Sequence, residues 1–502
     1  YGVVARHRPF FSVWTRWLWG SPIERPTFLL TRDIFLRCLG VTYGIAFISL
    51  WTQIEGLVGS NGILPMAEFL EAVRTEFGPE RYRIFPTLFW LNQSDFFLHL
   101  VCGAGLVTSL FLVIGLAPAP VLFFLWAFYL SLTVVCREFL RFQWDALLLE
   151  TGFLAIFLAP LTHRPKASRA SPPSPLVLWL MRWLLFRLMF SSGVVKLASG
   201  DPTWRGLTAL TYHYETQPLP TWIGWYIHQL PEWFQRVSAV GMFAVELVVP
   251  FLIFAPRRLR VAGCIAFIAL QGLIALTGNY CFFNLLSVSL CLLLLEDTFW
   301  PKRWRERFLS SAVVPPPKRL RQWPKWVLYP VTAAILLATA VQMVDLFRMR
   351  FHWPKPIRIF YRWTASFESV NSYGLFAVMT TSRPEIIVEG SHDGVTWHPY
   401  EFKYKPGNPR RGPAFVAPHQ PRLDWQMWFA ALGHYQENPW FVSFCVRLLQ
   451  GSPEVLGLLR DNPFPNAPPR YIRAVLYDYR FTDFETRRGT GDWWGRERKG
   501  LY

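Results

Sequence analysis

Nine apolar runs divide the first two thirds of the chain. They fall near residues 28–53, 96–116, 118–137, 146–160, 176–198, 237–255, 261–277, 282–297 and 326–347. A membrane-crossing helix needs about 20 apolar residues, fewer where protein shelters it, so each run is a candidate span. The fourth and eighth are short, and the second and third are joined only by Ala117-Pro-Ala-Pro120. After residue 347 the pattern changes. Glu385-Ile-Ile-Val-Glu389 alternates like a strand, and Ser391-His-Asp-Gly394 supplies an Asp-Gly turn. The chain then alternates again from Trp397 to Tyr404, with Tyr400, Phe402 and Tyr404 on one face, which predicts a hairpin. Tyr471 to Tyr479 has period two, whereas Leu423–Leu432 and Trp440–Gln450 read as helices. Pro439 opens the second helix and Gly451 stops it.

The expected fold is a polytopic α-helical membrane protein of about nine spans, followed by a β-rich extramembrane C-terminal domain with helical insertions. Its parts are an interfacial N-terminal segment (1–25), a membrane domain (26–347) and the tail (348–502). The first segment places Arg6, Arg8, Arg16 and Arg25 among aromatics.

Composition supports this class. The 502 residues are 52% hydrophobic and only 17% charged, where soluble domains hold about 25% charge. The net charge of +18 could suggest nucleic acid, but its distribution argues for membrane topology and no nucleic acid. With a cytoplasmic N-terminus, the inner segments 1–25, 161–175, 256–260 and 301–325 hold 18 Lys and Arg. The outer segments 55–95, 137–145 and 199–236 hold seven, against eleven acidic residues. Positive charge inside is the rule for short loops, so nine spans put the tail outside. The seven cysteines show no metal-ligand or disulfide spacing, and no cofactor or metal is expected.

Candidate chemistry concentrates in two places. Arg182, Arg187 and Lys196 lie in the fifth run; Arg182 and Lys196, near its ends, could simply snorkel, and Glu150 and Glu246 on neighbouring runs are candidate partners for the deeper Arg187. Intramembrane charges are costly and mark either structural ion pairs or a transport or catalytic role. The second place is the outer stretch 199–220, too polar to span and rich in aromatics. It holds Trp204, Tyr212, His213, Tyr214, Glu215 and Gln217. His213 and Glu215 could serve acid–base work, but on a helix they point apart. No GxSxG, P-loop, GxGxxG or HExxH motif is present.

Six stretches carry a family resemblance: Phe142-Gln-Trp-Asp145, Leu147–Leu154, Thr211–Gln217, Asn371–Phe376, Tyr404-Lys-Pro-Gly407 and His419–Leu432. Through them the chain resembles the lipase maturation factor family, and is more similar to the second of its two vertebrate types. The resemblance implies an ER membrane protein that helps secreted homodimeric lipases, such as lipoprotein lipase, reach the active dimer. It implies no catalytic residues, and it assigns the tail to the client. The compact link before the tail and the C-terminal Gly500-Leu-Tyr502 depart from the vertebrate pattern and favour a bacterial member in the cytoplasmic membrane, its tail in the periplasm.

The leading expectation is a non-enzymatic membrane assembly factor. Its partners would be membrane lipids and a protein client or complex partner. The loop 199–220 should pack against the tail and form one surface with it. Arg422, Asp424, Trp425 and Trp428, with Trp440, are the contact candidates on the tail, and core packing is the bland alternative for the aromatics. Two other readings stay open: a structural subunit of a larger membrane complex, and a membrane enzyme acting on lipid or peptide through His213, Glu215 and Lys196.

Overall fold

The computed structural model describes residues 17–18, 26–163, 171–309, 322–349 and 351–502. Most of the expected interfacial segment 1–25, and parts of the loops 161–175 and 301–325, lie outside these residues.

Every expected run coincides with a helix. We label them α1 (Leu29–Trp51), α2 (Asp95–Val113), α3 (Pro118–Cys136), α4 (Gln143–Leu158), α5 (Pro175–Ala198), α6 (Ala209–Thr216, in the outer loop), α7 (Glu232–Phe243), α8 (Arg257–Thr277), α9 (Phe283–Leu292) and α10 (Lys325–Leu346). Helix starts follow the local chemistry. The Ser94 hydroxyl caps α2 by accepting from the Phe97 N–H, and Pro175 opens α5, where a missing N–H is harmless. α7 runs on through a π-turn at Ala244–Val248 and a tighter helix at Val249–Phe254. Pro250, which has no N–H, sits where the regular ladder gives way.

Among the described residues, seven helical segments are long and apolar enough to cross a membrane by length and composition, against about nine expected. The two that fall short are α4, with 16 residues, and α9, with 10. Both are sheltered by protein: twelve of the sixteen residues of α4 are buried, and seven of the ten of α9. A helix shielded from lipid need not match the bilayer thickness.

The connections sort onto two faces. On one face Asp297 accepts the N–H groups of Leu29 and Thr31, Arg32 donates to the Ser171 carbonyl, and Arg260 pairs with Glu296. On the other face the tail meets Gln53, Gly62, Phe139, Thr216 and Asn279. The segments that the charge count groups as outer therefore share a face with the tail.

The tail carries a four-stranded antiparallel sheet in the order β2-β1-β3-β4. The strands are β1 (Arg383–Ser391), β2 (His398–Pro399), β3 (Tyr471–Phe481) and β4 (Trp494–Leu501). The hairpin turns where Asp-Gly predicts it. Gly394 takes φ +74°, and Asp393 Oδ1 accepts the N–H groups of Val395 and Thr396. The run 397–404 pairs only at His398 and Pro399, because Pro399 cannot donate and Phe402 turns away to bridge Leu459. Tyr400 and Phe402 are buried and Tyr404 is half-buried. Helices α11 (Arg422–Ala431) and α12 (Pro439–Gln450) pack on the sheet and the outer loops. Gly451, at φ +67°, ends α12. The tail keeps no separate core: Ile386, Val388, Trp425 and Phe444 belong to one continuous apolar cluster with Phe47, Leu147 and Leu184 of the membrane helices.

Glycines set the closest helix approaches. A Cβ at Gly105 would overlap the Phe47 ring, and one at Gly152 would overlap the Tyr43 hydroxyl, which donates to the Leu148 carbonyl. Gly152→Ala should therefore cost about 1–3 kcal/mol of stability, the range for overpacking a core. Gly272→Ala, whose Cβ meets nothing within 4 Å, should leave the melting temperature unchanged or slightly raised. Thermal unfolding of both variants in detergent checks this, and equal losses would refute it.

Candidate functional site

The expected contact residues meet at the seam where the outer loops join the tail. Arg422 is the first residue of α11, and Asp145 sits in the first turn of α4. Their side chains form a bidentate pair at 2.6 and 2.9 Å, both fully buried. Arg422 also donates to the Phe139 carbonyl at 2.9 Å, and the Tyr129 hydroxyl donates to Asp145 Oδ1 at 2.5 Å. A planar guanidinium is suited to this fork. Two residues on, Asp424 Oδ1 accepts the N–H groups of Tyr404 and Lys405, each at 2.8 Å. Trp425 stands edge-on to Trp144 with centroids 4.7 Å apart, and Trp428 Nε1 donates to the Thr216 carbonyl at 2.8 Å. Trp425, Trp428 and Trp440 are 3%, 7% and 3% exposed. They are core, the reading that the sequence already favours for most of these aromatics over exposed contact. A Trp-rich stretch looks the same in sequence whether it packs inward or outward.

The loop 199–220 is folded onto the tail. Asp201 caps a short helix at Pro202–Arg205 with one carboxylate oxygen, and its other oxygen accepts the Met379 N–H at 2.9 Å. Trp204 is buried, and its Nε1 donates to the Phe376 carbonyl at 2.9 Å. Tyr212 packs half-buried on the Trp204 cluster, while Tyr214 is buried. The α6 helix parts His213 from Glu215. His213 meets Phe376 edge-on at 4.8 Å, whereas Glu215 Oε2 accepts the Phe481 N–H at 3.0 Å and lies 3.7 Å from His228. Arg383 of β1 gathers the carbonyl of Glu215 in the last turn of α6 and those of Gln217 and Pro218 just past its end. These are groups a helix end leaves without partners. Sequence reasoning passed over Arg383, and its place at the start of a strand gave no sign of this role.

The intramembrane charges are paired. Arg187 meets Glu150, and Lys196 meets both oxygens of Glu246 at 2.8 and 3.0 Å. Glu150 Oε2 also accepts the Asn371 N–H and the Tyr373 hydroxyl, each at 2.8 Å. Asn371 and Tyr373, in the Asn371–Phe376 stretch, thus complete a site inside the membrane domain.

Beside the seam lies a cavity of about 250 Å³, lined by Lys196, Trp204, His213, Met242, Glu246 and Tyr280 among others. Lys196 and His213 share it, but the Lys196 ammonium is committed to Glu246 and the Ser192 carbonyl, and of the His213 nitrogens only Nε2 is engaged, while Nδ1 has no hydrogen-bond partner among the described residues. The Tyr280 hydroxyl donates to Gln217 Oε1 at 2.9 Å, and Gln217 Nε2 donates to the Thr277 carbonyl. The phenol proton is thus committed, so the 3.3 Å contact to His213 is a donation from Nε2–H. Among the described residues no hydrogen bond joins His213 to Lys196, and Glu215 lies on the other side of α6. The three candidates of the enzyme reading, His213, Glu215 and Lys196, are thus not joined in one hydrogen-bonded group among the described residues. No group of three or more metal-binding side chains occurs among the described residues.

Comparisons with known proteins come out as follows. The family model "Lipase maturation factor transmembrane domain" matches residues 30–302, and "Lipase maturation factor C-terminal domain" matches 369–502. The chain is 39% identical to Lipase maturation factor 2 of Gallus gallus, over 95% of this chain and 81% of the relative. It is 38% identical to Lipase maturation factor 2 of Homo sapiens, over 93% and 81%. It is 35% identical to Lipase maturation factor 1 of Mus musculus, over 95% and 87%. These relatives are vertebrate and point away from the expected bacterial placement. No solved structure matches the chain.

Two measurements test the seam. Arg422→Met strands Asp145 without a counter-charge and should cost about 3–5 kcal/mol, whereas a matched apolar pair is tolerated. Asp145→Leu together with Arg422→Met should then recover most of the folded yield on size-exclusion chromatography. A double variant as poor as the single one would refute the pairing as the reason. The second test is pH. Burial, then the Lys196 charge, pushes His213 down to about 4. Burial, then Arg422 and Lys403, pushes His419 down to about 4. Unfolded imidazole titrates near 6.5, so between these values the unfolded chain binds more protons and stability rises with pH. Acidification from about 6.5 towards 4 should lower the melting temperature. His213→Asn with His419→Asn should flatten that fall, and an unchanged slope would refute the assignment.

Proposed function

Because the chain belongs to the lipase maturation factor family, we propose that it is a non-enzymatic membrane assembly factor that receives partly folded or unassembled lipase subunits and releases active dimers. The vertebrate relatives support an ER membrane, and the charge count supports a tail in the lumen, where secreted clients fold. One observation directs this reading to a surface. With the seam residues buried, the apolar area left open on the tail includes a stripe along α12. Val442, Val446 and Leu449 are 47%, 43% and 38% exposed and, at spacings of four and three, share one helix face. Their opposite face, with Phe441, Phe444 and Leu448, is buried. A helix apolar on both sides has one face left for a partner. On this reading the seam residues Trp204, Arg422, Trp425 and Trp428 hold α11 and α12 in place and do not touch the client.

The test is complementation. Cells lacking their own family member would receive this chain, and active dimeric lipase in the medium would be measured with the level of the chain. Val442→Glu with Val446→Glu should leave that level unchanged while lipase output falls severalfold. Full output from this variant would refute the α12 surface, and no output gain from the wild-type chain would refute the client class.

A further inference from the structure

The cavity beside the seam is shaped by two helices that diverge. Near their inner connection α7's continuation and α8 touch: a Cβ at Gly263 would lie 3.2 Å from Leu252 and 3.5 Å from Val249. Towards the face that carries the tail they part, and the cavity fills the wedge. Phe234, Ser238 and Met242 stand on one side, and Leu270, Leu273 and Ile274 on the other. Leu188, Met189 and Phe283 add to the apolar lining. Leu273 lines the cavity and is still 62% exposed. Its neighbours along α8, Ile265 and Leu276, are 60% and 48% exposed. The exposed residues beside the mouth at Leu273 are thus apolar and lie on a helix long and apolar enough to span a membrane, a setting that suits an opening towards lipid.

The polar end of the cavity is electrically spent. An ammonium has three donors, and those of Lys196 go to Glu246 Oε1, Glu246 Oε2 and the Ser192 carbonyl. The imidazole of His213, held far below its ordinary range by burial, is neutral. A carboxylate or phosphate would find no free cation there, and burying an unpaired anion is prohibitive. The volume, about 250 Å³, would need about eight waters at ~30 Å³ each, and apolar walls of this kind hold water poorly.

We propose that this cavity binds the aliphatic chain of a neutral lipid, an alcohol or ester, admitted laterally from the bilayer between α7 and α8. The inference is independent of the client reading, since it concerns what lies against the outer loop and not what meets α12. The chain would sit against Leu270, Ile274 and Met189, with its uncharged head near His213 and Trp204. Occupancy would thereby bear on the packing of the loop 199–220 against the tail.

The test uses the full chain in nanodiscs and two clickable photoreactive probes of equal chain length, a fatty alcohol and the matching fatty acid. Labelled peptides should map to residues 188–196 and 270–283, with the alcohol labelling these peptides much more than the acid. Ile274→Trp, which fills the cavity, and Leu273→Trp, which blocks the mouth at an exposed position, should each lower alcohol labelling about tenfold, equivalent to about 1.4 kcal/mol. Ile265→Trp, on the lipid face away from the cavity, should leave it unchanged. Labelling in Leu273→Trp equal to wild type, or labels mapping only to outward-facing residues, would overturn the site. Equal labelling by the acid would overturn the neutral head.

Discussion

A charge placed among membrane helices must find its counter-charge inside the protein, and here much of that compensation comes from the tail. Asp145 is answered by Arg422, 277 residues further on. Glu150 is answered by Arg187 from the next span, and then by the Asn371 N–H and the Tyr373 hydroxyl. Removing the tail would leave both carboxylates short of hydrogen bonds in a low dielectric, where unsatisfied polar groups are most costly. The membrane helices and the tail are consequently one electrostatic unit, which agrees with their sharing one apolar cluster.

That constraint accounts for the position of the outer loop. Once Arg422 is fixed over Asp145, α11 holds Trp428 over the Thr216 carbonyl, at the end of α6. Arg383 binds the carbonyls on either side of it, those of Glu215, Gln217 and Pro218, and Trp204 reaches the Phe376 carbonyl from the other side. The loop is gripped at both ends, and between them Lys196, Glu246 and His213 enclose a space that none of them fills. The aromatic content that marks this stretch in the sequence is spent on the grip.

What could be read from the sequence follows the range of the forces concerned. Long apolar runs, the Asp-Gly turn at Asp393 and the Pro439 and Gly451 boundaries are local signals, and the structure has an element at each. The shortness of α9 was legible as a short run, but its shelter by neighbours was not. Strand β4 escaped notice because Arg496, Glu497, Arg498 and Lys499 give it no apolar alternation. It is an edge strand, where charge guards against unwanted pairing. The pairing of Asp145 with Arg422, and the burial of Trp425 and Trp428, depend on contacts far apart in sequence. Composition marks such residues as unusual without telling an interface from a core.

The separation of Asp145 from Arg422 also orders events during synthesis. A ribosome emits the chain from its N-terminus, so α3 and α4 enter the bilayer while Arg422 is still far from being translated. Through that interval Asp145 must stay hydrated, stay protonated or be held by another protein. The arrival of α11 is what ends that wait. Completion of the last third of the chain therefore sets when the first two thirds can reach their final packing.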